Sequence, residues 1–181
     1  ADRENIGDRG SSQVYAPYVV TILQGITEYP SDAEVIYYSG ESASHCRRLA
    51  KEAVVVLVGG SMILMDEWED QVGAILMAYY PGMEGGKAVA DVLFGKTNPG
   101  GKLPFVIPKK EEDLPEIDWD AEEFRYDYYH GYTLLNKSHV KPLYPFGYGL
   151  SYTTFTLAGM KAWRDEENLY ASVIAKNTGK W

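Results

Sequence analysis

The chain has 181 residues, 45% of them hydrophobic and 24% charged, which is enough for one compact domain with a sizeable core plus a short appendage, and not the composition of a disordered chain. Its 26 acidic and 17 basic side chains leave a formal charge of -9, and no Lys/Arg cluster interrupts that acidity, so binding to a nucleic-acid backbone is disfavoured. No apolar run approaches the roughly 18 residues of a membrane span, and the lone Cys46 excludes both an internal disulfide and a cysteine-built metal site.

The amino terminus, Ala1-Asp-Arg-Glu-Asn5, has neither a basic segment nor an apolar stretch, so no signal peptide is read there. Asn5 to Ser12 is a polar, glycine-punctuated loop. Its side chains suit sugar hydroxyls, and Arg9 suits a carboxylate; it reads equally as a turn in which Asp8 and Ser11 cap the following backbone. From Tyr18 to Ile26, Val19, Ile22, Leu23 and Ile26 recur at helical spacing after Pro17. Glu34 to Tyr38 is β-branched and aromatic and ends in the turn Ser39-Gly40, which predicts a strand. Ser42 to Ala53 predicts a helix capped by Ser42 or Ser44, with Cys46, Leu49, Ala50 and Ala53 on one face.

Val54 to Val58 follows as a buried strand, stopped by Gly59 and Gly60. Ser61 then caps a predicted helix carrying Met62, Met65 and Trp68. Gly73 to Ala78 has the continuous apolar texture of a parallel-sheet strand, and a helix from about Glu84 to Phe94 stops at Gly95. This alternation predicts an α/β fold: a mainly parallel sheet with helices on both faces, a flavodoxin-like sandwich. Beyond Gly95 the texture changes. Asn98 to Gly101 is a turn, Leu103 to Ile107 is an expected edge strand, and an irregular stretch rich in aromatic residues runs from Trp119 to Phe155. Thr153 to Leu157 and Leu169 to Ala175 then read as short strands opening a β segment, with Asn177-Thr-Gly179 as a turn.

Pro81-Gly-Met-Glu-Gly-Gly-Lys87 sits where a phosphate loop would, between strand and helix. The pattern fails, because position 81 is proline and position 88 is alanine, so the hydroxyl that would hold magnesium is absent. Its glycines read instead as permitting close strand-helix packing. The histidines His45, His130 and His139 are scattered, which predicts no metal site, and no Gly-x-Ser-x-Gly elbow occurs. Glycoside hydrolysis needs paired carboxylates, and Glu111 to Asp113 and Asp118 to Glu123 are acidic runs, yet both read as solvated loops.

Gly73 to Pro104 and Pro142 to Phe155 together resemble the carboxy-terminal α/β domain of glycoside hydrolase family 3, with Asn5 to Ser12 and Gln24-Gly-Ile26 in agreement. The resemblance implies a domain over 1–152, and over 153–181 the start of a fibronectin type III-like β-domain. It implies a retaining exo-acting β-glucosidase that takes a β-glucoside or short oligosaccharide, with no metal or organic cofactor. The active site would be shared with an amino-terminal barrel, which supplies the nucleophilic aspartate. Arg9, Ser11, Ser12 and Gln13 match a region that approaches the outer sugar subsite, and are the expected substrate-binding residues. No catalytic residue is assigned: a single valine run joins the helix ending at Ala53 directly to Gly59-Gly-Ser61, where family members place a loop with the acid/base glutamate. The resemblance leans toward a secreted or periplasmic compartment, and no nucleic-acid or membrane partner is expected. A non-catalytic carbohydrate-binding or structural module is the alternative.

Overall fold

The computed structural model describes residues 16–36, 49–50, 52–118 and 120–181. The first element among the described residues, α1 (Ile22–Thr27), starts later than its apolar spacing predicts. Residues 18–20 are used otherwise: the Val20 N–H donates to the Met83 carbonyl at 2.8 Å, and the Val20 carbonyl accepts from the Gly86 N–H at 3.0 Å. Thr21 is extended and its hydroxyl accepts the Gln24 N–H at 3.1 Å, which satisfies one of the open donors of the first turn.

Glu34, Val35 and Ile36 are exposed and enter no ladder, so the predicted strand has no counterpart there; Tyr37 and Tyr38 lie outside the described residues. Of the predicted 42–53 helix, 42–48 and 51 likewise lie outside. Its end is visible in the bonds from Glu52 N–H to the Leu49 carbonyl and from Ala53 N–H to the Ala50 carbonyl, at 3.2 and 3.0 Å. The chain then passes directly into β1 (Val54–Leu57), which pairs in parallel with β2 (Ala74–Met77), Val54 opposite Ala74 and Leu57 opposite Met77. The fold is α/β as the alternation predicts. Among the described residues the parallel sheet has two strands.

The predicted helix after Ser61 does not form. Residues 62–65 are irregular, Asp66 to Trp68 make a turn, and a single 3-10 turn covers Glu69–Gln71. Of its three apolar positions only Met65 is buried, so a helical face there has little to pack against. Asp66, Glu67, Glu69 and Asp70 would also crowd negative charge at the end of a helix where the macrodipole is negative.

Among the described residues, the helix α2 (Gly85–Leu93) carries the main helix contact, against α1. Gly85, Gly86, Val89 and Ala90 are buried along it. A methyl group on Gly86 would fall on the Thr21 carbonyl oxygen, and one on Gly25 on the Gly86 carbonyl oxygen, so the two backbones approach as closely as only glycine permits. At its end Gly95 takes φ 75°, its N–H bonding to the Val92 carbonyl at 3.0 Å, and this left-handed residue ends the helix where the sequence indicates.

Leu103 to Ile107 does run alongside a partner, but not as a strand. Leu103 N–H donates to the Tyr148 carbonyl at 2.8 Å and Ile107 N–H to the Tyr144 carbonyl at 2.9 Å, with a single β-bridge at Ile107 and Tyr144. Pro104 on one side and Pro145 on the other lack the donors a continuous ladder needs. Val106, Ile107 and Pro108 are nevertheless buried, as is Leu135 of the short helix α3 (Tyr132–Lys137).

The chain closes in an antiparallel hairpin, β3 (Phe155–Arg164) and β4 (Leu169–Asn177), both longer than the predicted strands. Its register shifts between Ala158 and Lys161, around Gly159 at φ 64°. The Asp165 carboxylate accepts the Glu167 and Asn168 N–H groups at 2.9 and 2.7 Å, which fixes the turn; the Glu167 bond above all holds that carboxyl below its ordinary range. No helix among the described residues is long and apolar enough to cross a membrane.

Candidate functional site

Open α/β sheets bind ligands beyond the carboxyl ends of their parallel strands, where loops diverge. Here β1 runs out through Val58-Gly59-Gly60-Ser61 and β2 through Ala78-Tyr79-Tyr80-Pro81. The strands stay paired into these exits, Ala78 N–H donating to the Leu57 carbonyl at 2.9 Å and Gly59 N–H to the Tyr79 carbonyl at 3.2 Å. Gly60 lies under the Tyr80 ring: a Cβ there would sit 2.7 Å from Cε2. Gly85 packs on the Pro81 ring, and Gly82 has φ 73°, so these glycines shape the turn rather than present donors to an anion.

Tyr79 is the strained residue of this edge. It holds φ 53°, a left-handed conformation uncommon outside glycine, and its ring meets Phe105 edge-on at 6.1 Å. Its hydroxyl is buried without a hydrogen-bond partner among the described residues, and burial pushes its pKa up. A buried unsatisfied hydroxyl costs stability. Tyr79→Phe is therefore expected to leave the unfolding free energy, followed through the denaturant midpoint, unchanged or raised by up to about 1 kcal/mol. A clear fall in that midpoint would contradict the assignment.

Where the chain turns into α2, Glu84 joins two neighbours. Its Oε1 accepts the Tyr18 hydroxyl at 2.6 Å, and its Oε2 lies 2.7 Å from Lys87 Nζ. The Lys87 bond, then that of Tyr18, holds the Glu84 carboxyl below the ordinary range; the same carboxylate raises the pKa of both Lys87 and Tyr18. The signs agree. Glu84 favours the folded state above the ordinary carboxylate pKa and loses that contribution as pH falls through its depressed value. Tyr18 and Lys87 contribute below their ordinary values and lose this as pH rises through the raised ones. The tether thus holds across the neutral range. In Glu84→Gln, ultraviolet titration should show Tyr18 ionising at lower pH than in the parent, with Tyr18→Phe identifying its signal; an unmoved titration would remove Glu84 as its partner.

The two long signature segments of the sequence are clasped together. Asn98 Nδ2 donates to the Ser151 hydroxyl at 2.9 Å, and Asn98 Oδ1 accepts the Ser151 hydroxyl at 3.0 Å and the Tyr152 N–H at 2.7 Å. The Tyr152 hydroxyl donates to the Val92 carbonyl near the end of α2 at 2.8 Å. Lys102 Nζ reaches the Gly149 carbonyl, and Gly149 passes too close to the Gly101 carbonyl for any side chain. Nearby, the Tyr144 hydroxyl donates to Glu69 at 3.1 Å; burial first, then this bond, pushes its pKa up to about 12. Residues 31–152, which include this clasp, match the family model described as the glycosyl hydrolase family 3 C-terminal domain. The chain belongs to glycosyl hydrolase family 3.

Within this family, the chain is 36% identical over 160 residues to the β-glucosidase BoGH3A of Bacteroides ovatus, covering 81% of itself and 21% of that protein. It is 40% identical over 139 residues to the probable β-glucosidase I of Aspergillus niger, covering 70% of itself and 17% of that protein. Among solved structures, β-glucosidase 3B of Thermotoga neapolitana in complex with glycerol superposes with a TM-score of 0.78 at 26% identity, over 97% of this chain and 36% of that one. The family 3 β-glucosidase of Bifidobacterium adolescentis superposes with a TM-score of 0.66 at 34% identity, over 75% and 21% respectively. The chain thus spans about a fifth of the length of the curated relatives it matches.

The sequence-predicted binding residues Arg9, Ser11, Ser12 and Gln13 lie outside the described residues. The groups the structure does bring together, Tyr18 with Glu84 and Tyr79 with Phe105, were not singled out as a site from sequence. Glu84 and Tyr79 both lie inside the first signature segment, and Tyr18 lies 66 positions from Glu84, a pairing no local pattern reveals.

Proposed function

We propose that this chain is the carbohydrate-facing α/β part of a retaining exo-acting β-glucosidase that hydrolyses terminal β-glucosyl residues. The reading is carried by the kinship of one continuous chain to β-glucosidases in both sequence and fold. In it, the family barrel supplies the nucleophilic aspartate, and this chain closes the pocket around a β-glucoside or short oligosaccharide. Two carboxyl groups then act through a covalent glycosyl intermediate: the barrel aspartate attacks the anomeric carbon while an acid, assigned to no residue of this chain, protonates the leaving oxygen, and the resulting base activates water for release. Membership of the family supports Arg9, Ser11, Ser12 and Gln13 as contacts to the outer sugar. The domain division is part of the same proposal, with 1–152 as the α/β domain and 153–181 opening a fibronectin type III-like β-domain.

The test is reconstitution. The chain joined to a family 3 barrel should turn over an aryl β-glucoside with retention at the anomeric carbon, while the chain by itself should not. Turnover by the isolated chain, or inversion by the joined enzyme, would refute the reading. Calorimetric binding of cellobiose with no turnover in the joined form would favour a carbohydrate-binding module instead.

A further inference from the structure

The irregular stretch before α3 displays aromatic rings that neither the core nor the pocket reading uses. Phe124 and Tyr126 lie 4.7 Å apart between centroids, Tyr126 and His130 5.8 Å apart, and Tyr128 meets Tyr129 edge-on at 5.3 Å. Tyr126 is 57% and Tyr128 75% exposed, so large ring faces stand in solvent. The strip is also held in place. The Thr133 hydroxyl donates to the Tyr128 carbonyl at 2.6 Å, the Tyr129 N–H donates to Asp127 at 2.7 Å, and Lys137 Nζ sits 3.7 Å over the Tyr129 ring.

The chemistry narrows what such a surface takes. Between residues 116 and 130 there are six carboxylates and one guanidinium, Arg125, so polyanions such as nucleic acid or anionic lipid are repelled. The exposed rings are mainly tyrosines, whose apolar faces and polar rims suit a ligand with apolar faces and hydroxyl edges better than an aliphatic protein patch. A pyranose has both. We infer that the Phe124–Tyr129 strip is an auxiliary binding surface for a neutral β-glucan chain, made of residues other than those assigned to the outer sugar. The choice of ligand rests on the glucosidase reading, whereas the surface itself rests on ring exposure and charge.

The experiment is calorimetric titration of the 181-residue chain with cellotetraose, and with a heparin tetrasaccharide as the anionic control. Cellotetraose should bind and heparin should not. Tyr126→Ala and Tyr128→Ala, each shown by circular dichroism to be folded, should each weaken cellotetraose binding by about three- to tenfold, in line with the worth of one aromatic contact. Tyr170→Ala, on the hairpin, should leave it unchanged. Equal binding in the parent and the Tyr126→Ala/Tyr128→Ala double variant, or no cellotetraose heat in the parent, would overturn the inference. So would loss of association with a family barrel in the double variant while cellotetraose heat persists, since the strip would then be a protein interface. Failure of the joined enzyme to hydrolyse an aryl β-glucoside sinks the catalytic reading and leaves these titrations to decide the surface.

Discussion

Gly86→Ala is expected to unfold the helix pair or cost at least about 3 kcal/mol, several times the loss from an ordinary surface substitution. The added methyl group would overlap the Thr21 carbonyl oxygen and press on the Val20 carbonyl, which accepts the Gly86 N–H. Neither oxygen is the end of a flexible side chain, so relief requires the α1 and α2 backbones to separate. That separation breaks the Val20 to Met83 bond and moves Tyr18 away from Glu84. Gly25→Ala should behave alike, since its methyl group would strike the Gly86 carbonyl from the other side. Gly100→Ala is the control: nothing lies within 4 Å of the point its methyl group would occupy, so its effect on the denaturant midpoint should be small. Equal midpoints for Gly86→Ala and Gly100→Ala would show that the helices do not cross as closely as described.

Asn98→Ala should cost about 2 to 4 kcal/mol, because one side chain satisfies both the Ser151 hydroxyl and the Tyr152 N–H in a partly buried position. The loss should be cooperative. With Asn98 gone, the Tyr152 hydroxyl loses its aim at the Val92 carbonyl, and the join to the hairpin, where the Thr153 hydroxyl donates to Asn177 at 2.7 Å, loosens with it. A double-mutant cycle with Ser151→Ala measures the coupling: a strongly non-additive pair is expected, and simple additivity would mean that the two side chains act independently. Hydrogen exchange at the Tyr152 N–H gives a second readout, with protection falling in Asn98→Ala.

The legible parts of the fold were those in which local chemistry and tertiary role coincide. The Val54–Leu57 run and the Ala74–Met77 run read as parallel strands because their apolar residues are continuous, and Gly95 marked a helix end through a conformation that favours glycine. Residues 61–68 misled, since apolar spacing of three suggested a helix that the acidic residues after Met65 oppose and only one buried side chain rewards. Leu103 to Ile107 shows a different failure: its partner was identifiable only as the second signature, and the prolines on both sides keep the pairing from becoming a ladder. Hairpin length was underestimated because the register shift around Gly159 interrupts the alternation that sequence reading follows.

The site was less legible than the fold. Family resemblance pointed to Arg9, Ser11, Ser12 and Gln13, which lie outside the described residues; within the described residues the geometry brings Tyr18 together with Glu84 and Tyr79 with Phe105. A side chain such as Glu84 in a glycine-rich turn looks like turn chemistry until its distant partner is known, and the strain at Tyr79 has no sequence signal at all, since tyrosine is an unexpected residue at positive φ.

The tie between Asn98 and Ser151 also has a bearing on the order in which this polypeptide can assemble. It joins positions 53 apart, and bringing the ends of so long a segment together costs about 3.5 kcal/mol of chain entropy before any bond rewards it. The α1 and α2 pair can form early, but its far end stays open until Ser151 and Tyr152 have left the ribosome and returned to it. During that interval the Tyr152 N–H stays open to solvent, so pulsed hydrogen exchange during refolding should show it gaining protection later than the Gly86 N–H of the helix pair.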